Sequence, residues 1–253
     1  MKKYGLKLWS TNTNYLKEAV RLYKEQEFDY IELFSVSDSF DEYSHYWQGL
    51  EIPFVIHAPH FRSGVNLAKK ENRLRNIKLV GEAQKYADFL KADEIIIHPG
   101  IAGEINETVR QINEINDKRL LVENKPYYAL DDNLICIGAS PDEIKYIIDN
   151  CQVGFCLDIG HSLCAARGLE KDPATMLNEF MSFNPVIFHI TDGDMNSVYD
   201  NHWHIGWGNY DFIKILNILP ADARLTVETD KDSRENLKDY EQDVNRLKKY
   251  EKH

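Results

Sequence analysis

The segments Ser140-Pro141-Asp142-Glu143 and Gly154-Phe155-Cys156-Leu157-Asp158 decide the reading of the fold, because together they join a helix start to a buried strand. Serine at the N-cap, proline at the first helical position and a reciprocal glutamate satisfy the free amides of a first turn. The run that follows is short and apolar without polar alternation, as in a strand covered on both faces of a parallel sheet. Runs of the same kind recur at residues 4–9, 30–34, 54–58, 94–98, 120–123, 186–190 and 225–228, which makes eight. Between them, apolar residues at helical spacing predict helices over 15–24, 41–48, 72–90, 210–219 and 234–250, and Asp172-Pro173 starts another.

Eight strand and helix alternations in 253 residues match a (β/α)₈ TIM barrel of class α/β. No linker, low-complexity tract or shift of composition divides the chain, so residues 1–253 read as a single domain. With 43% apolar and 28% charged residues the composition is that of a globular protein, which excludes disordered and fibrous classes. The net charge of −11 argues against a sequence-independent grip on nucleic acid or an anionic membrane. No apolar run is long enough for a membrane span. Cys136, Cys151, Cys156 and Cys164 show no CxxC spacing and the start of the chain has no signal-peptide pattern, so the expected setting is a reducing cytoplasm. Oligomeric state stays open.

A barrel places its active site at the carboxyl ends of its strands. Of nine histidines, His57, His60, His98, His161, His189, His202 and His204 fall in or after a strand on that side, and only His45 and His253 lie elsewhere. Glu123, Asp158 and Glu228 end strands at the same depth, and Asp200 precedes His202. One strand-end carboxylate is ordinarily a cap or an ion-pair partner. Four of them with at least five imidazoles in one mouth form a costly charge cluster unless metal ions neutralise it. Imidazole with carboxylate suits Zn²⁺, Mn²⁺ or Fe²⁺, and Cys156 and Cys164 read as packing residues.

The segments His60-Phe-Arg-Ser-Gly-Val-Asn-Leu67, Ile97-His98-Pro99-Gly100, Val122-Glu123-Asn124, Cys156-Leu-Asp158-Ile-Gly-His161, His189-Ile-Thr-Asp192, Asp200-Asn201-His202 with Ile205-Gly-Trp-Gly208, and Val227-Glu228-Thr229 stand in the order seen in endonuclease IV, which the chain resembles. The wider family is the xylose-isomerase-like TIM barrels, which includes sugar and sugar-phosphate isomerases and epimerases. The resemblance implies up to three Zn²⁺ ions. His60, His98 and Glu123 would hold the first; Glu123 would bridge to a second completed by Asp158, His189 and Glu228; His161, Asp200 and His202 would hold the third. His57 and His204 have no place in that set and read as supporting or packing residues, His204 with a possible substrate contact.

Three such ions would make the mouth positive, attract a phosphoester and acidify water for in-line attack, with Glu123 or Glu228 orienting the nucleophile. Abasic DNA or a related phosphodiester is the implied substrate. Lys125-Pro126-Tyr127-Tyr128 replaces a glycine-rich stretch, Trp207 stands where a glutamate is usual, and only Arg62, Lys125, Arg167 and Lys231 are basic residues near the mouth, which counts against a broad DNA-binding face. Phe28-Asp29-Tyr30-Ile31-Glu32-Leu33 is similar to strand two of the isomerase branch or is a buried strand with its acid paired internally. In that branch Glu123, Asp158, His189 and Glu228 would hold one Mn²⁺ or Co²⁺ and act on a sugar or sugar phosphate. A catalytically silent binding barrel is the third possibility, disfavoured because an unused cluster of this kind would destabilise the fold.

Overall fold

A strand buried on both faces has no polar side to offer water, and eight such strands meet that requirement by closing into a barrel with helices outside. The computed structural model describes residues 1–129 and 133–252; His253 lies outside them. The strands are β1 (Lys3–Trp9), β2 (Tyr30–Phe34), β3 (Phe54–His57), β4 (Ile95–Ile97), β5 (Leu120–Glu123), β6 (Gly154–Asp158), β7 (Ile187–Ile190) and β8 (Arg224–Val227). All pair in parallel in sequence order, and β8 closes on β1 with Leu6 opposite Val227. The helices are α1 (Leu16–Lys24), α2 (Phe40–Trp47), α3 (Arg73–Leu90), α4 (Ile105–Ile115), α5 (Pro141–Cys151), α6 (Ile159–Gly168), α7 (Pro173–Met181), α8 (Phe212–Ile218) and α9 (Lys238–Tyr250).

The capping box at Ser140 and Glu143 is formed, and α5 starts at Pro141. Two helices lack so clear a signal. Glu104 before α4 makes no side-chain cap. Helix α6 follows β6 without a loop, because Asp158 ends the strand and also accepts the His161 amide at 2.7 Å. The last helix begins at Lys238 rather than at 234, since Ser233 Oγ accepts the Glu235 amide and Asn236 Oδ1 accepts that of Lys238, which holds the segment in turns.

Strand alternation sorts the interior into layers. Tyr30, Val55, Ile96, Leu121, Cys156 and Ile187, from six strands, form one buried cluster separate from the main core between barrel and helices. Gly5 leaves the space there that Tyr30 fills, since a Cβ at residue 5 would stand 2.5 Å from its ring. Two residues further along each strand the inward positions are polar: Lys7, Glu32, His57, His98, Glu123, Asp158, His189 and Glu228. A plug of apolar side chains thus forms the floor of a polar mouth.

Candidate metal centre

The mouth is a cavity of about 500 Å³ lined by Lys7, Glu123, Lys125, His161, Asp200 and Glu228 among others, with Trp9, Phe34, Phe61 and Tyr128 on its walls. Register brings the donors together: Asp158 lies opposite His189, and Glu123 opposite Cys156. Asn124 fixes the seam between β5 and β6 by accepting the Asp158 amide at 2.7 Å and donating to its carbonyl at 2.9 Å.

His57 and His98 both present Nε2 to Glu123 Oε2, at 3.1 and 2.9 Å. The His57 Nδ1–H donates to the Ala58 carbonyl at 2.8 Å, so Nε2 carries the lone pair. A lone pair facing a carboxylate oxygen at that separation calls for a proton or a metal ion between them. His57, not His60, therefore completes a donor group with His98 and Glu123. The reason is parity: His57 stands two residues after Val55 on the inward side of β3, whereas His60 lies beyond the strand, at the N-cap of a one-turn 3₁₀ segment. The expectation that His60 belongs with His98 and Glu123 does not match this grouping. His60 remains on the cavity wall, its ring parallel to that of His98 within 13° at 5.5 Å, and burial with Lys125 nearby depresses it to about 3.

A second convergence centres on His189. Its Nε2 lies 3.0 Å from Glu32 Oε2, while its buried Nδ1 has no hydrogen-bond partner. That Nδ1 faces Glu228, Asp158 and Glu123 oxygens at 3.3, 3.8 and 3.7 Å. Donors placed about 2.1 Å from a tetrahedral ion stand about 3.4 Å apart, so an orphaned imidazole nitrogen among three carboxylates fits a divalent cation.

The third group joins α6 to the segment after β7. His161 Nδ1–H donates to the Asn124 carbonyl and His202 Nδ1–H to the Glu228 carbonyl, each at 2.9 Å, which leaves both Nε2 atoms facing Asp200 Oδ2 at 3.3 and 2.5 Å. Asp200 and His202 ride on the segment after β7, where His202 takes a left-handed φ of 50°. Two buried carboxylates hold that segment. Asp192 accepts the amides of Gly193, Gly206, Gly208 and Tyr210. Asp243 on α9 accepts from His204 Nδ1 at 2.7 Å, from Thr229 Oγ1 at 2.8 Å and from the Ile205 amide at 3.0 Å. His204 is thus a strut between the loop and α9, packed against the Trp207 ring.

Three residues of the mouth lie outside the ligand set expected from the sequence. Glu32 is fully buried behind His189. Lys7 Nζ pairs with Glu32 and Glu228 at 2.5 and 2.6 Å. Lys125 Nζ, one of the four basic residues that the sequence places near the mouth, lies 3.2 Å from Glu123 and 3.3 Å from both His98 Nε2 and His161. The inward parity of β1 and β2 was the signal for Lys7 and Glu32.

Burial opposes every charge here, and neighbours decide the outcome. It raises Asp158 to about 6, with Asp200 and Glu123 adding repulsion. It would depress His161 and His202, yet Asp158 and Asp200 lift them to about 9 and about 10. Against burial, His189 and Lys7 hold Glu32 at about 2. Cys156 is pushed up to about 12 by burial, so its thiol stays protonated in the apolar floor. Counted with neutral imidazoles, as in metal ligation, the carboxylates of Glu32, Glu123, Asp158, Asp200 and Glu228 against the ammonium groups of Lys7 and Lys125 give the donor cluster −3, so two divalent ions suffice to turn it positive.

The four cysteines are unbridged, and among the described residues no helix is long and apolar enough to cross a membrane. A probable endonuclease 4 of Thermoplasma volcanium is 30% identical over 189 residues, which span 68% of this chain and 63% of that protein. Endonuclease IV from Thermus thermophilus superposes with a TM-score of 0.70 at 19% identity over 98% of each chain. A D-tagatose 3-epimerase-like protein superposes with a TM-score of 0.72 at 22% identity, covering 98% of this chain and 96% of that one. Structural likeness at such identities carries the fold alone. The family described as Xylose isomerase-like TIM barrel matches residues 20–250, nearly the whole chain, and it is to this family that the chain belongs.

Proposed function

We propose that the chain is a metal-dependent hydrolase of phosphoesters, acting at a centre of up to three divalent ions of the zinc type. The observation that carries this reading is the convergence of three donor groups on one cavity: His57, His98 and Glu123; Glu123, Asp158, His189 and Glu228; His161, Asp200 and His202. A one-ion isomerase has no chemical need for the first and third groups. The relationship to probable endonuclease 4 proteins supports the same chemistry.

Divalent ions bound there supply Lewis acidity and a water acidified towards neutral pH. The chain's own residues do the rest. Glu123, shared by the first two donor groups, and Glu228, in the second, orient the attacking water. Lys125, buried beside Glu123, adds a fixed positive charge for phosphoryl oxygens. Trp9 and Phe34, whose ring centroids lie 5.7 Å apart, form an apolar wall that covers one side of the substrate. A cavity of about 500 Å³ in a chain of −11 favours a small phosphoester or a single extruded nucleotide over a broad duplex footprint.

One observation favours a second reading. The Glu123, Asp158, His189 and Glu228 set is complete by itself with Glu32 behind it, which is what a one-metal sugar or sugar-phosphate isomerase or epimerase using Mn²⁺ or Co²⁺ requires. The test is a paired assay of the metal-loaded protein on bis(4-nitrophenyl) phosphate and abasic duplex DNA, and on a panel of ketoses and ketose phosphates. Turnover of phosphodiesters alone supports the proposal; epimerised sugar with no phosphate ester cleaved replaces it with the second reading.

A further inference from the structure

We propose that His60 is a substrate-binding residue whose Nε2–H donates a hydrogen bond to an anionic oxygen of the phosphoryl group held in the mouth. The inference rests on the hydrolytic reading and assigns His60 a role distinct from metal ligation.

The tautomer is written in the backbone. His60 precedes the 3₁₀ turn Phe61–Ser63, and its Nδ1 accepts the Arg62 amide at 3.2 Å. A nitrogen that accepts an N–H carries no proton, so the ring proton is on Nε2. That is the reverse of His57, His161 and His202, each of which donates from Nδ1 to a carbonyl and so leaves Nε2 as the nitrogen available to an ion. The three are built as ligands through Nε2, and His60 is built as a donor through Nε2.

Position agrees with tautomer. The turn is pinned by the Ser63 and Val65 amides, which donate to the His60 carbonyl at 2.9 and 3.1 Å, and Gly64 closes it in a left-handed conformation. The ring is held between Phe34 at 5.3 Å, Phe61 at 5.9 Å and His98 at 5.5 Å, so its orientation is set before substrate arrives. It lines the cavity beside the His57, His98 and Glu123 group, and among the described residues Nε2 has no protein partner. A rigid, unpartnered donor next to a candidate cation site meets an oxyanion held there, and a neutral donor does so without repelling the ions.

Phosphate titrations of the zinc-loaded protein by calorimetry test this, with metal content measured on the same samples. His60→Phe keeps the aromatic packing and removes the donor: inorganic phosphate is expected to bind about tenfold or more weakly with the metal content of wild type. His60→Gln, which retains an N–H donor, should recover part of the affinity. Loss of an ion in His60→Phe makes His60 a ligand and overturns the proposal, as does unaltered phosphate affinity. Nitrogen-15 NMR should find His60 in the Nε2–H tautomer; an Nδ1–H tautomer refutes the donor assignment whatever the substrate. Wild-type protein that binds no phosphate contradicts the hydrolytic reading itself and removes this proposal with it.

Discussion

His189 and Glu32 meet at 3.0 Å across the barrel, from β7 to β2, and that contact turns the opposite ring nitrogen of His189 towards Glu228, Asp158 and Glu123. A carboxylate behind a histidine fixes its tautomer and raises its basicity as a ligand. Glu32 itself is steadied by Lys7 and by the Thr226 hydroxyl, which donates at 2.6 Å.

Glu32→Gln should therefore leave the barrel folded yet weaken the ion at the Asp158, His189 and Glu228 donors about 10–100-fold. Competition with a chelator of known affinity measures this. Unchanged affinity would mean that the Glu32 contact is structural only.

Asp243→Ala removes the acceptor shared by His204, Thr229 and the Ile205 amide. Leaving buried donors unmatched should cost roughly 3 kcal/mol of stability, read from urea unfolding. The loop it anchors carries Asp200 and His202, so the ion at His161, Asp200 and His202 should be lost before the others. A variant that is destabilised but keeps its full metal content would separate the strut from the centre.

The metal-free protein should respond to pH in a stated direction. His161 and His202, lifted from 6.5 to about 9 and about 10, stabilise the fold fully below pH about 6.5, and that contribution disappears as pH rises through 9 to 10. Glu32, held at about 2, stabilises above its unfolded value of 4.5 and is lost as pH falls towards 2. Ions must displace the two imidazole protons, so metal affinity should climb with pH up to about 10 and proton release should accompany binding. Thermal melts with and without chelator, and calorimetry in buffers of different ionisation heat, check both. Metal affinity that is flat from pH 6 to 9 would exclude His161 and His202 as ligands.

All eight strands were legible as short, largely apolar runs of strand length recurring between helical patterns, whereas α4 lacks a side-chain cap and α6 shares Asp158 with the strand before it. The site was legible as a set of residue types at strand ends. What composition hides is direction. His57 and His60 stand three residues apart, and only the inward alternation through Val55 shows which of them meets Glu123. The same alternation marks Lys7 and Glu32, while Lys125 needed the tertiary structure, because residue types alone do not tell a lysine that folds inward between His98 and His161 from a surface cation.

Metal analysis of the purified, chelator-stripped and zinc-reloaded protein tests the central claim most directly. More than one ion per folded chain, about three at saturation, with one lost in His57→Ala and one in His202→Ala, is the result expected from three donor groups around one cavity. A single ion per chain, undisturbed by either substitution and abolished by His189→Ala, would contradict the multinuclear hydrolase and leave the one-metal isomerase.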